Sequence, residues 1–123
     1  MKSGMGASLE DVAVDEQAAA VAAAALFRAM GDPSRVAILR HLLLGEHNVA
    51  ELTSHLGLAQ STVSKHLACL RDCGLVASRP VGRASVFTLT QPDAVVRVFA
   101  AAESLLAATG DAVVLCPGSR MAG

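Results

Sequence analysis

The sequence predicts a mainly α-helical fold with a small β-hairpin wing, a winged helix-turn-helix in the order α-α-α-α-β-β-α. Three observations predict it. Gly57 separates two short helical patterns at helix-turn-helix spacing. The run SVFTLT alternates and is rich in β-branched residues, and a Pro80–Ala84 loop precedes it. A third apolar helical pattern opens at Pro92 and runs to about Ala108.

The elements follow in order. The first helix starts near Leu9 or Gln17 and ends at Met30, with Leu26, Phe27 and Met30 as its apolar stripe. Asp32 is a good N-cap and Pro33 suits the first helical position, so a second helix covers Ser34–Leu44 and stops at Gly45. Its apolar positions are Val36, Ile38, Leu39, Leu42 and Leu43. Asn48 and Glu51 have the spacing of a capping box for a short third helix ending near Leu56, and Leu58 packs beneath the Gly57 turn. The fourth helix spans Gln60 to Cys73, with Gly74 as its stop. Strands at Leu75–Arg79 and Ser85–Thr90 form the wing. The last helix offers Val95, Val96, Phe99, Leu105 and Leu106 to the core, and Gly110 ends it.

The first and last helices carry more apolar surface than so small a unit buries alone. A second copy would cover it, and a C2 homodimer is the commonest closed solution. Residues 1–16 read as a flexible N-terminal extension and 17–109 as a DNA-binding and dimerisation domain. Residues 110–123 form a tail that carries Cys116.

With 123 residues the chain is long enough for one domain with a real core. The net charge of −1 excludes a wholly polybasic nucleic-acid binder, but the charges are unevenly placed. Between Ser61 and Thr90, Lys65, Arg71, Arg79 and Arg83 face Asp72 alone, which suits contact with DNA or a solvated face. No stretch reaches the roughly 20 apolar residues of a membrane span, and the N-terminus lacks a secretory pattern, so a cytoplasmic protein is expected. Three cysteines in that compartment do not suggest structural disulfides.

At 100° per residue, Val63, Leu67 and Leu70 form the core face of the fourth helix. Gln60, Ser61, Ser64 and Lys65 look outward, where recognition helices meet bases, and Arg79 and Arg83 on the wing suit phosphates or the minor groove. Gln pairs well with adenine, and Lys reaches a guanine edge or a phosphate. The expected partner is pseudo-palindromic double-stranded operator DNA, read by two recognition helices.

Thr62, His66, Cys69 and Cys73 make a third stripe. Side chains four apart on a helix have Cβ atoms about 5–6 Å apart, so two thiolates there can share one ion. Alternatively both thiols only fill a seam, since free Cys packs as a small hydrophobe. Cys116 is a third thiol able to complete a trigonal sulfur set. Thiolates select soft metals: three favour Cd(II), Pb(II) or Hg(II), whereas Zn(II) usually takes four ligands. His66 could add a ligand but reads better as a hydrogen-bonding or DNA-facing residue, and His47 stands no better as a ligand, while His41 and His55 read as surface residues.

The segments GDPSRVAIL, VAELTSHLGLAQSTVSKHLACLRDCGLV and GRASVFTL together resemble the ArsR/SmtB family of metal-sensing repressors, over roughly Ala24 to Leu106. Within that family the chain looks most like the CmtR-type cadmium/lead sensors, which carry a Cys-x-x-x-Cys pair ending the recognition helix and a tail cysteine. The resemblance implies dimers that repress their own operon and release DNA when an inducer binds. It also implies metal ligation by Cys69, Cys73 and Cys116, the last from the other subunit. Two other family sites lack their ligands here. NVAEL has no cysteine, and the last helix begins Asp93-Ala94-Val95 with no later histidine, which leaves Asp93 and Glu103 as surface charges.

The expected function is thus metal-responsive repression, with Cd(II) or Pb(II), or else Hg(II), as inducer and no organic cofactor. The alternative is a thiol-based redox or persulfide sensor of the same fold, although Cys69 and Cys73 can join only by distorting the helix. No general-base constellation, phosphate loop or nucleophile motif appears, so the chain reads as no enzyme.

Overall fold

The computed structural model describes residues 9–117, with side chains from Asp15 onward. The helices are α1 (Leu9–Met30), α2 (Pro33–Leu43), α3 (Val49–Leu56), α4 (Gln60–Asp72) and α5 (Pro92–Ala108). The strands are β1 (His47–Asn48), β2 (Val76–Val81) and β3 (Ala84–Leu89). Together they form a winged helix-turn-helix. Helix α1 takes the earlier of its two expected starts and so draws in Leu9–Glu16, the second half of the segment read as an extension. Residues 1–8 and 118–123 lie outside the described residues.

Local chemistry sets most boundaries. Asp32 caps α2 by accepting from the N–H groups of Ser34 at 2.8 Å and Arg35 at 3.3 Å. Asn48 and Glu51 close the capping box of α3, with both bonds at 2.8 Å. Gly57, with φ of 68°, turns the chain toward α4 in a left-handed conformation that favours glycine.

The wing differs from expectation in two ways. Its hairpin is longer, with Pro80 inside β2 opposite Ser85 and only Gly82-Arg83 at the turn. Gly82 has φ of 62° and Arg83 does not have a positive φ, the pattern of a tight hairpin with glycine at the first turn position. Pro80 is tolerated because β2 is an edge: the strand order is β1-β3-β2. The second difference is β1, a third strand, which pairs His47 with Phe87 and Asn48 with Val86.

The core joins Ile38, Leu39 and Leu42 of α2 to Leu52, then to Val63, Leu67 and Leu70 of α4. Val76, Phe87, Val95 and Phe99 close it. Burying a side chain of this size stabilises the fold by roughly 1.5–3 kcal/mol. Three expected core residues are corrected: Phe27 and Leu105 are 63% and 67% exposed, and Val96 is also exposed. On α1 the small Ala29 takes the inward position, and Phe27 lies about 200° away around the helix. Phe27, Val98, Ala101, Ala102 and Leu105 therefore line one apolar face shared by α1 and α5. Among the described residues, no helix is long and apolar enough to cross a membrane.

Candidate nucleic-acid interface and thiol site

Helix α4 is seated by Val63, Leu67 and Leu70, each at most 1% exposed, and this fixes what its other faces present. Gln60, Ser61, Ser64 and Lys65 are exposed, and Thr62 is half-buried beside them. The N-cap is Ala59, which makes no side-chain bond to the helix. The N–H of Thr62 donates to the Ala59 carbonyl at 3.0 Å, which leaves those of Gln60 and Ser61 to an anion such as a backbone phosphate. Gln60 also lines a groove with Asn48, Val49 and Ala50 on one side and Arg83, Ala84 and Ser85 of the wing on the other.

The two wing arginines are not equivalent. Arg83 is exposed at the hairpin turn. Arg79 makes a forked ion pair with Glu46, at 2.8 and 3.0 Å. Both partners are about half exposed, so water screens the pair and its worth to stability is small. Its greater effect is to occupy the guanidinium. Glu46 was not singled out in the sequence because the pairing spans 33 residues.

On the third stripe, His66 is drawn into a network. Its Nδ1 lies 3.3 Å from Nη1 of Arg35, and its Nε2 is 3.8 Å from Oδ1 of Asp32. Arg35 also donates to the carbonyls of Ala29 and Arg28, so the network links the end of α1 to α2 and α4. Partial burial opposes the charge on Asp32. The N–H bonds from Arg35 and Ser34, then the charges of His66 and Arg35, outweigh it and hold the carboxyl below its ordinary value. With both nitrogens so placed, His66 is poorly disposed to serve as a metal ligand. His47 has its Nδ1 2.8 Å from the Gly45 carbonyl and its ring beside that of His55 on α3.

Cys69 is half-buried and Cys73 exposed. The N–H of Cys73, the C-cap, donates to the carbonyl of Cys69 over 3.1 Å, so the pair keeps helical spacing to the end of α4. The three cysteines form no disulfide among the described residues.

Cys116 lies elsewhere on the chain. The N–H groups of Leu115 and Cys116 both donate to Oε2 of Glu103, the second over 2.7 Å. Nε of Arg40 donates to the carbonyl of Leu115 at 2.9 Å, and both tail residues pack against the core. Glu103 is therefore corrected from a surface charge to the half-buried anchor of the tail. The Cys116 and Leu115 amides, helped by the Cys116 side chain and opposed by burial, pull its carboxyl below the usual glutamate value. Among the described residues no three His, Cys, Asp or Glu side chains gather as a metal-binding group. Within one chain, Cys116 is thus not brought to the Cys69–Cys73 pair.

Comparison with known proteins places this geometry. Residues 32–78 match the family model described as bacterial regulatory protein, arsR family. The chain is 42% identical over 69 residues to a probable mercury resistance operon repressor of Streptomyces lividans, covering 56% of this chain and 55% of that protein. It is 52% identical over 62 residues to the transcriptional regulator CmtR of Mycobacterium tuberculosis, covering 50% of this chain and 52% of that protein. The solved structure of that cadmium metal-sensor superposes with a TM-score of 0.51 at 44% identity, covering 58% of this chain and 78% of the other. Reduced HlyU from Vibrio cholerae gives a TM-score of 0.64 at 36% identity, over 72% of this chain and 95% of that one. The chain spans about half the length of the first two relatives.

Proposed function

The chain belongs to the bacterial arsR family of regulatory proteins, and on that premise we propose that it is a metal-responsive transcriptional repressor acting in the cytoplasm. As a homodimer without metal it binds a pseudo-palindromic operator. Gln60, Ser61, Thr62, Ser64 and Lys65 meet the major groove, and Arg83 grips the backbone. Arg79 joins it when a phosphate replaces Glu46. The apolar face of Phe27, Val98 and Leu105 is the dimer contact. The inducer is a thiophilic ion: Cd(II), Pb(II) or Hg(II).

One observation carries this reading: Cys69 and Cys73 stand one turn apart at the end of the helix that would read DNA, joined by a backbone hydrogen bond at its C-cap. An ion held there has direct purchase on the pose of α4. Cys116 is pinned by Glu103 away from the pair in its own chain, which favours its delivery to the pair across the dimer. Relatives described as a mercury resistance operon repressor and a cadmium metal-sensor support the soft-metal class. Coupling of about 1–3 kcal/mol between the sites suffices, since that changes operator affinity about 5–150-fold.

The test is an anaerobic Cd(II) titration of the reduced protein, following thiolate-to-metal charge-transfer absorbance in the wild type and in Cys116→Ser. The chain has no Trp or Tyr to obscure the band. One ion per chain, bound more weakly by the variant, supports a three-thiolate site. An unchanged endpoint reduces the site to Cys69 and Cys73. Absence of the band favours the second reading, a thiol redox or persulfide sensor, for which the likeness to reduced HlyU speaks.

A further inference from the structure

We propose that His41, His47 and His55 form a second divalent-cation site, one that takes Zn(II) or another imidazole-preferring first-row ion. Their ring centroids lie 5.1 Å apart for His41–His55, 5.6 Å for His47–His55 and 6.2 Å for His41–His47. A metal–nitrogen bond of about 2.0–2.1 Å places each ring centre about 3 Å from a shared ion, so rings at a tetrahedral angle sit about 5 Å apart. The observed triangle is slightly wider than that. The nitrogens are not yet turned onto one point, as no three metal-binding groups are gathered among the described residues. Rotation of the exposed His55 and half-buried His41 about their side-chain torsions is the adjustment required.

His47 is already arranged as a ligand. Its Nδ1 lies 2.8 Å from the carbonyl of Gly45, and because a carbonyl can only accept, this nitrogen carries the proton. In the neutral ring Nε2 then keeps its lone pair, and metal-binding histidines commonly donate their other ring N–H to a carbonyl in this way. Among the described residues, no carboxylate oxygen lies within 4.0 Å of a ring nitrogen of these three histidines, and the neighbouring Glu46 is committed to Arg79. Three imidazoles with an open fourth position suit zinc and its neighbours, and differ in class from the thiolate set on α4.

The ligands come from three elements: the last turn of α2, β1 at the base of the wing, and the last turn of α3. An ion here would clamp α3 against the wing, the two supports between which α4 is aimed. It would do so independently of the cysteines.

The experiment is a Zn(II) titration of the full chain with Cys69, Cys73 and Cys116 all replaced by Ser, followed by two-bond imidazole 1H–15N NMR. Circular dichroism checks the fold, and wild type preloaded with Cd(II) replaces this background if it fails to fold. We expect the three histidines to move together as one ion binds, His47 through Nε2, while His66 stays still. In that background His55→Ala should weaken zinc at least tenfold. Stationary rings, an equal response at His66, or undiminished binding in His55→Ala would each overturn the proposal.

Discussion

The imidazole of His66 lies 3.8 Å from the carboxylate of Asp32, which ties one turn of the recognition helix to the residue that starts α2. Because the carboxyl of Asp32 is held below its usual 3.8, its charged form is favoured by the fold. That contribution is complete above the ordinary aspartate pKa and is lost as the pH falls through the lower folded value. Asp32→Asn keeps an oxygen for the cap but removes the charge. Its melting temperature should fall below wild type at neutral pH, and the gap should close in strong acid. A gap constant across that range would mean that the charge plays no part.

Leu67 anchors α4 at 1% exposure. Leu67→Ala should cost about 2–5 kcal/mol, the usual range for a large core side chain cut to alanine. Urea denaturation measures it. A loss under about 1 kcal/mol would mean that the helix is held chiefly by something other than this packing.

Arg83→Ala should reduce the slope of log affinity against log salt by about one, the signature of a lost phosphate contact. Glu46→Gln should act in the opposite direction, since it releases Arg79 for a phosphate. Fluorescence anisotropy on operator DNA at several salt concentrations distinguishes them, and weaker DNA binding in Glu46→Gln would refute the competition between Glu46 and phosphate.

Cys69→Ser should leave affinity for the operator within about twofold of wild type, because the side chain lies off the DNA-facing stripe. The same variant should keep hold of DNA when Cd(II) is added. Gel-shift titration with and without the ion reads both effects. Release by Cd(II) at wild-type concentrations would remove Cys69 from the site.

Leu105→Glu places a charge on the apolar face that α5 shares with α1. Sedimentation equilibrium should show a shift from dimer to monomer, with operator affinity reduced at least tenfold. A variant that still sediments as a dimer would move the contact elsewhere.

What was legible in the sequence was local. Asp32-Pro33 marks the start of α2, Asn48 and Glu51 form the expected capping box, and the Val63–Leu67–Leu70 stripe is buried as its spacing requires. Each depends on residues within about two turns of one another. β1 is only two residues long, too short to show alternation, and exists because β3 offers it an edge. Phe27 and Leu105 were misjudged for a related reason. An alanine-rich helix can turn either face inward, and only the packed neighbours decide.

The residues of the candidate sites divide in the same way. The spacing of Cys69 and Cys73 is a property of one helix and could be read directly. The anchoring of the tail by Glu103 joins residues 12 and 13 positions apart through an irregular segment, and nothing in its spacing announces it. Arg79–Glu46 and the His41–His47–His55 triangle are products of tertiary folding alone.

Pro80 within the outer strand of the wing has a further effect. A projecting hairpin is a ready template on which other chains can stack, because an edge strand offers a row of unpaired N–H groups. A proline on such a strand turns its ring nitrogen to the solvent side and removes one donor from that row. Arg79, next to Pro80, adds a charged side chain on the same strand, held by Glu46 from beside β1. The outer edge of the wing is thus a poor template for pairing with further copies of the chain.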